Sequence, residues 1–360
     1  MTGKQSLRSV TGLLLLLAAA VGIACGSGTS SPDGAATETP ATPVETATPE
    51  QTPVGESSPT GTRSLGPSRV AVNPATNRIY VSNQFGGSVS VIDGATNEPL
   101  ATVPVGSFPF GIAVNAKTNR VYVANTGSGS VSVIDAADNA VIATVEAGTS
   151  PKGVGIDTES NRIFVTNFAS GSVSVIDGST NEIIGSLEVE SAPVAVTIDQ
   201  EADRIYVLNT ASNSVSFIDS TNETTVATVK VGEFKVDPFG LAFDASTRRL
   251  YTANPFTDEV TVIDATRSVI VTAVPLGTEP RDVAVNASSN RVYVAVTGEG
   301  HVAVIDGDTN TVTTTVPVGL KPLGIAVNPE TNRIYVANLS DDTVSVIDGD
   351  TEAVIATVAL

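Results

Sequence analysis

The chain is poor in the residues on which much enzyme chemistry depends. Its 360 residues include one cysteine, one histidine, one methionine and no tryptophan. A single thiol rules out an internal disulfide, so an exported form of this chain must be stabilised by packing. One imidazole and no second thiol leave most nucleophilic and zinc-centred mechanisms short of parts, because such a metal site gathers three or four donors. Basic residues are scarce as well: 19 Lys and Arg stand against 38 Asp and Glu, a net charge of −19. A surface of that sign repels phosphate backbones and argues against nucleic acid as a partner. Long apolar runs are missing too. Leu13 to Ala24 is twelve residues, where a membrane-spanning helix needs about twenty. The sequence has no phosphate-cradling glycine loop, no zinc-ligand spacing and no helical period of useful length.

What the sequence has in abundance is a repeat. A Val-Ile-Asp or Phe-Ile-Asp triplet closes at Asp93, Asp135, Asp177, Asp219, Asp264, Asp306 and Asp348, at intervals of 42, 42, 42, 45, 42 and 42 residues. Seven units result. Each holds four short runs rich in Val, Ile, Ala and Thr, separated by Asn, Pro, Gly or Asp; in the first unit these are 69–73, 78–83, 88–93 and 99–105. Such runs read as strands. Four antiparallel strands per unit, repeated seven times, predict an all-β fold: a seven-bladed β-propeller of four-stranded blades over residues 62–360.

The hairpin of the second and third strands can be checked by counting. With Asn83 opposite Ser88, Tyr80 faces Val91 and Arg78 faces Asp93. The same separation of 15 links Arg120 with Asp135, Arg162 with Asp177, Arg204 with Asp219, Arg249 with Asp264, Arg291 with Asp306 and Arg333 with Asp348. The expectation is a set of cross-strand ion pairs that fix register and leave those aspartates unavailable to a metal. All six tyrosines, Tyr80, Tyr122, Tyr206, Tyr251, Tyr293 and Tyr335, occupy one position of the second strand, with Phe164 in the third unit. They are expected to pack between blades. The asparagines ending the second strands, such as Asn83 and Asn125, are expected to satisfy backbone groups at the turn.

Ahead of the repeats, Lys4 and Arg8 precede the twelve-residue apolar run, the pattern of an export signal over residues 1–24. Residues 26–61 contain six prolines and eight threonines but no aromatic, Lys or Arg. That composition predicts a disordered tether over 25–61. Ile23-Ala24-Cys25 resembles a bacterial lipoprotein lipobox, with Gly22 where that pattern usually has leucine. The resemblance implies cleavage before Cys25, acylation of that residue, and a lipid-anchored domain facing the periplasm or cell exterior.

The repeated Asn-Arg-Ile-Tyr-Val-x-Asn followed by Ser-Val-Ser-Val-Ile-Asp resembles the YVTN family of propeller repeats over residues 69–360. The resemblance implies an exported seven-bladed propeller. It also places the chain near enzymes of related fold, including heme d1 cytochromes and seven-bladed lactonases, although fold kinship does not carry activity with it.

In a propeller, the loops before the first strands and between the second and third strands surround one mouth of the central channel. The residue after each pre-strand proline is expected at that rim, which singles out Phe110, Lys152, Phe239, Arg281 and the adjacent Asp282; His301, in the hairpin of the sixth unit, is expected on the same face. The three extra residues within Gly232 to Pro238 break the period there. No catalytic set, metal site or cofactor is expected from these residues. The reading they favour is a surface scaffold that binds a protein, peptide or glycan at the rim, with the membrane as its other partner through the anchor. Its competitor is a propeller enzyme, lactonase-like or redox, using Lys152, Arg281, Asp282 and His301. Oligomeric state is left open.

Overall fold

The computed structural model describes residues 64–232 and 238–360, all within one unit, Thr60–Leu360. The expected leader over 1–24, the tether over 25–61, the acylated Cys25 and most of the insertion in the fifth repeat lie outside the described residues.

Seven four-stranded antiparallel sheets follow one another along the chain. The first is β1 (Pro67–Asn73), β2 (Arg78–Asn83), β3 (Ser88–Asp93) and β4 (Glu98–Pro104), paired in chain order. The pattern repeats to β28 (Ala353–Ala359), and no helix occurs among the described residues. The fold is a seven-bladed propeller. Val/Ile-rich second and third strands are buried on both faces, whereas each fourth strand is largely exposed. That gradient follows from blade stacking, which covers a sheet from both sides near the axis and uncovers it at the rim.

The core is therefore divided into seven layers between blades. In one, Tyr80, Val89 and Val91 of the first blade meet Val121, Val123 and Ile134 of the second. In the closing layer Tyr335, Val344 and Val346 of the seventh meet Ile79, Val81 and Ile92 of the first. Each layer takes one ring from the repeated position, and Phe164, like five of the tyrosines, is 0 % exposed. Burying such a ring stabilises the fold by about 1.5–3 kcal/mol.

The predicted hairpin register holds in all seven blades, with Arg78 opposite Asp93 and Arg333 opposite Asp348 among them. The predicted ion pairs mostly do not form. Only Arg204–Asp219 at 2.9 Å and Arg291–Asp306 at 2.6 Å bridge within a blade. Elsewhere the guanidinium crosses to a main-chain carbonyl one blade further on: Arg78 donates to Ala136, Arg162 to Ser220 and Arg333 to Gly94. The aspartates are occupied instead as turn caps. Asp93 Oδ1 accepts from the amides of Ala95 and Thr96 at 2.8 and 3.1 Å. A long guanidinium reaches an unpaired carbonyl across the seam, while a short carboxylate is better placed for amides two and three residues ahead.

Ring closure uses the same devices as every other seam. The first and seventh blades are each complete within one repeat. They are joined by Arg333 to Gly94 and by Asn328 Nδ2 to Asn77 Oδ1 at 2.8 Å, so closure is more than side-chain packing. Ser64 Oγ and the Gly66 amide both donate to Asp342 Oδ1 at 2.9 Å, while the Leu65 carbonyl accepts from Phe85 and Gly86 in the hairpin of its own blade.

Candidate functional site

The first strands of the blades line the channel: β1, β5 (Pro109–Asn115), β9 (Pro151–Asp157), β13 (Pro193–Asp199), β17 (Gly240–Asp244), β21 (Pro280–Asn286) and β25 (Pro322–Asn328). Near its mouth they enclose a cavity of about 180 Å³. In six blades the register slips just after the strand's opening proline, between Pro67 and Arg69 in the first and between Pro280 and Asp282 in the sixth. A bulge at that point turns the following side chains out of the ladder and towards the axis.

The residue two places after the proline decides what fills the channel. It is Gly111, Gly153, Ala195, Gly240 and Gly324 in five blades, but Arg69 in the first and Asp282 in the sixth. A Cβ on Gly111 would lie 2.0 Å from the Lys152 carbonyl oxygen, and one on Gly324 would lie 2.4 Å from that of Ser68. At these positions the next blade's backbone leaves no room for a side chain. Arg69 and Asp282 extend theirs into the channel and meet: Arg69 Nη1 lies 2.7 Å from Asp282 Oδ2, with the side chains 11 % and 14 % exposed. Asp282 also accepts the Ile325 amide at 3.1 Å. Burial raises the carboxyl above the usual carboxylate range, against the pull of Arg69 and the hydrogen bonds.

Around this pair stand two crossed rings. Phe110 and Phe239 meet edge-on with centroids 5.7 Å apart. Arg69 Cζ lies 4.9 Å from the centroid of Phe110 and 5.1 Å from that of Phe239. Lys152 Nζ is 4.5 Å from Phe110, and Arg281 Cζ is 5.2 Å from Phe239. Such cation–ring contacts contribute roughly 0.5–2 kcal/mol each, more when desolvated. Burial, aided by the charge of Arg69, pushes the Lys152 amine below the ordinary lysine range. The loops carrying these groups are pinned by hydroxyls of the preceding blade's second strand or hairpin: Ser82 Oγ donates to the Phe110 carbonyl at 2.6 Å, and Thr126 Oγ1 to the Pro151 carbonyl at 2.7 Å.

Of the residues expected at the rim, Phe110, Lys152 and Asp282 line the cavity, and Phe239 and Arg281 cluster against them. His301 does not join them. It opens β23 (His301–Asp306), the third strand of its blade, opposite Val296, with Nδ1 3.6 Å from Glu299 Oε2. Sequence reasoning missed Arg69. Comparing the seven residues two places after the proline would have found it, since only Arg69 and Asp282 there are large. It also misread the hairpin asparagines. Asn83 Nδ2 donates to Ser88 Oγ and Ser90 Oγ at 3.1 and 2.8 Å, tying together the ends of β2 and β3; Asn125 and Asn167 do the same with their serines.

Among the described residues, no three His, Cys, Asp or Glu side chains gather as a metal-binding group. Nor do the channel residues fit a heme. The cavity is smaller than the roughly 300–1,000 Å³ of sites that enclose drug-sized ligands, the Arg69–Asp282 and Phe110–Phe239 pairs occupy its mouth, and its lining includes no His, Cys or Met.

Residues 75–230 match the model of the cytochrome D1 heme domain, under half of the 360-residue chain. Among solved structures, Kuenenia stuttgartiensis hydrazine synthase superposes with a TM-score of 0.74 at 22 % identity, over 81 % of this chain and 98 % of that one. The dihydro-heme d1 dehydrogenase NirN, in complex with DHE, superposes with a TM-score of 0.60 at 17 % identity, over 79 % of this chain; the match spans 63 % of NirN. No curated protein sequence matches the chain. The heme-domain match overturns the expectation of a scaffold that binds a protein, peptide or glycan without chemistry of its own, and favours the competing expectation of a propeller enzyme. Where it falls, the chain is a seven-bladed propeller similar in part of its sequence to the cytochrome D1 heme domain.

Proposed function

We propose that the protein is a propeller enzyme of the redox class, with its site at the channel mouth and a small anionic substrate. The observation that carries this reading is the convergence of Arg69, Lys152 and Arg281 on one pair of phenylalanine rings, in a chain with twice as many acidic as basic residues. Asp282 in the cavity lining and Glu279, 3.9 Å from Arg281, are the carboxylates beside these three cations among the described residues, so the cluster keeps an excess of positive charge and attracts anions that the rest of the surface repels. Water is largely displaced by Phe110, which is 4 % exposed, and charge interactions strengthen accordingly. The match to the cytochrome D1 heme domain, and the likeness in fold to a hydrazine synthase and a heme d1 dehydrogenase, support the redox class. The chain's own residues bind and orient the anion in this reading. No step is routed through a heme, which the channel residues do not fit. The export signal and Cys25 support a lipid-anchored location outside the cytoplasm, which labelled-lipid incorporation lost in Cys25→Ser would test.

Calorimetric titration with nitrite, formate and acetate, alongside oxidation of reduced viologen dye with nitrite as the electron acceptor, tests the reading. Binding at one site per chain is expected, weakened about tenfold or more by Arg281→Met or Lys152→Met, the size of one lost charge-assisted contact. Unchanged affinity in both variants, or no binding of any of the three anions, overturns it.

A further inference from the structure

Lys152 differs from Lys117 and Lys230 in what its amine meets. Lys117 Nζ pairs with Glu159 at 2.6 Å and Lys230 Nζ with Glu190 at 3.0 Å, both largely exposed. Lys152 Nζ has no carboxylate or carbonyl partner among the described residues and rests on Phe110, with Phe168 5.8 Å away on its other contact. A lysine taken out of water, without a counter-ion and beside an arginine, keeps a larger neutral fraction than a surface lysine. Neutral amine is the form that attacks carbonyl carbon.

The same cavity holds a second functional edge. Arg69 Nη1 makes both the ion pair with Asp282 Oδ2 and a hydrogen bond to the Leu323 carbonyl at 3.3 Å. A guanidinium edge is matched to a carboxylate. Arg281 adds a third cation whose nearest carboxylate, Glu279, is 3.9 Å away. An amine, a guanidinium in the same lining and a cavity of about 180 Å³ suit a molecule of a few heavy atoms that carries a carboxylate next to a carbonyl.

We propose that Lys152 captures a small 2-oxo acid in the channel mouth as an imine, with Arg69 and Arg281 holding its carboxylate. The inference rests on the reading of the channel mouth as an anion site. Lys152 Nζ bonds to the carbonyl carbon, the carbon–oxygen double bond opens, and the carbinolamine expels its oxygen as water with both protons of the amine. A carbon–nitrogen double bond remains. No oxidant or reductant is consumed, and water reverses the step.

The test is reductive trapping on the full chain: incubation with pyruvate and cyanoborohydride, then intact mass and peptide mapping, with acetate titration in parallel. One adduct is expected, on the peptide carrying Lys152, formed at least about tenfold faster than on Lys117, Lys230 or Lys321. Lys152→Arg, confirmed as folded by a cooperative unfolding transition, should lose that adduct, while Arg281→Met should slow trapping and weaken acetate together. Adducts spread evenly over the lysines, or an adduct that persists in Lys152→Arg, overturn the imine. Acetate binding without any adduct overturns it while leaving the anion-site reading standing. Loss of both overturns the two together.

Discussion

Arg69 and Asp282 join the first and sixth blades across the channel, with Nη1 and Oδ2 2.7 Å apart. Each occupies a position that is glycine or alanine in the other five blades. The pair therefore fills space that the repeat elsewhere leaves to backbone, and it does so with two nearly buried charges. Removing one partner strands the other. Arg69→Met is expected to lower the free energy of unfolding by about 3–5 kcal/mol, because Asp282 loses its counter-charge. The double variant Arg69→Met, Asp282→Leu should recover most of that loss, since a buried ion pair replaced by apolar groups is often close to neutral. Urea denaturation of the three proteins measures it, and a double variant as unstable as the single one would contradict the account.

The acid limb of stability should separate Asp282 from the turn aspartates. Asp93, Asp177, Asp219, Asp306 and Asp348 are held below the usual carboxylate range, chiefly by backbone amides of the residues that follow. A lowered pKa in the folded state contributes stability above the unfolded value that is lost as pH falls through the folded one. For Asp282 the sign is reversed, because burial raises its carboxyl. The folded state then takes up a proton before the unfolded state does. Stability contributed by that group rises as pH falls from neutral towards the ordinary carboxylate range and changes no further below it. Asp282→Asn should abolish the rise and keep the acid loss. Unfolding midpoints measured from pH 7 to pH 3 in both proteins give the comparison, and parallel curves would refute it.

Much of this architecture could be read in the sequence because a period of 42 residues leaves little freedom. The 15-residue spacing of Arg78 and Asp93 gave the register correctly in every blade. It could not give the direction of the guanidinium, since a cross-strand neighbour and a carbonyl on the next blade are equally near in a stacked fold, and stacking is not visible in a single repeat. Register alone also leaves open which side chains bond within a hairpin, as with the serines of Ser-Val-Ser-Val. Ser88 and Ser90 are in fact partners of Asn83. At the channel, Phe110, Lys152 and Asp282 were legible from their proline. Arg69 was not, because it stands two places after Pro67, with Ser68 between them.

The crossing arginines imply that the ring closes by the same bonds that hold its other seams. Arg333 Nη1 donates to the Gly94 carbonyl at 2.6 Å, from the seventh blade to the first. A hydrogen bond from a charged donor contributes about 1.5–3 kcal/mol when its loss leaves the acceptor unpaired. Arg333→Ala is expected to destabilise the protein by that amount. Arg267→Ala, which removes an 80 % exposed side chain on a turn, should stay within about 0.5 kcal/mol. If both changes cost the same in chemical denaturation, the seam bonds contribute no more than surface charge does.

His301 offers the sharpest separation between the channel-mouth site and a site built on the lone imidazole. It is held against Glu299, whose carboxyl lies below the usual range mainly because it accepts the Thr278 amide at 2.9 Å, with a smaller contribution from His301 itself. Neither side chain lines the channel. Replacing His301 by alanine removes a contact at the hairpin end of β23 and nothing at the Phe110–Phe239 pair. Anion affinity should therefore stay within about twofold of the parent, well under the 1.4 kcal/mol that a tenfold change represents. Hemin added to the parent and to His301→Ala should give the same visible spectrum, with no imidazole-ligated species in either. A ligand band present in the parent and absent from His301→Ala would move the functional centre from the channel to the sixth blade's hairpin.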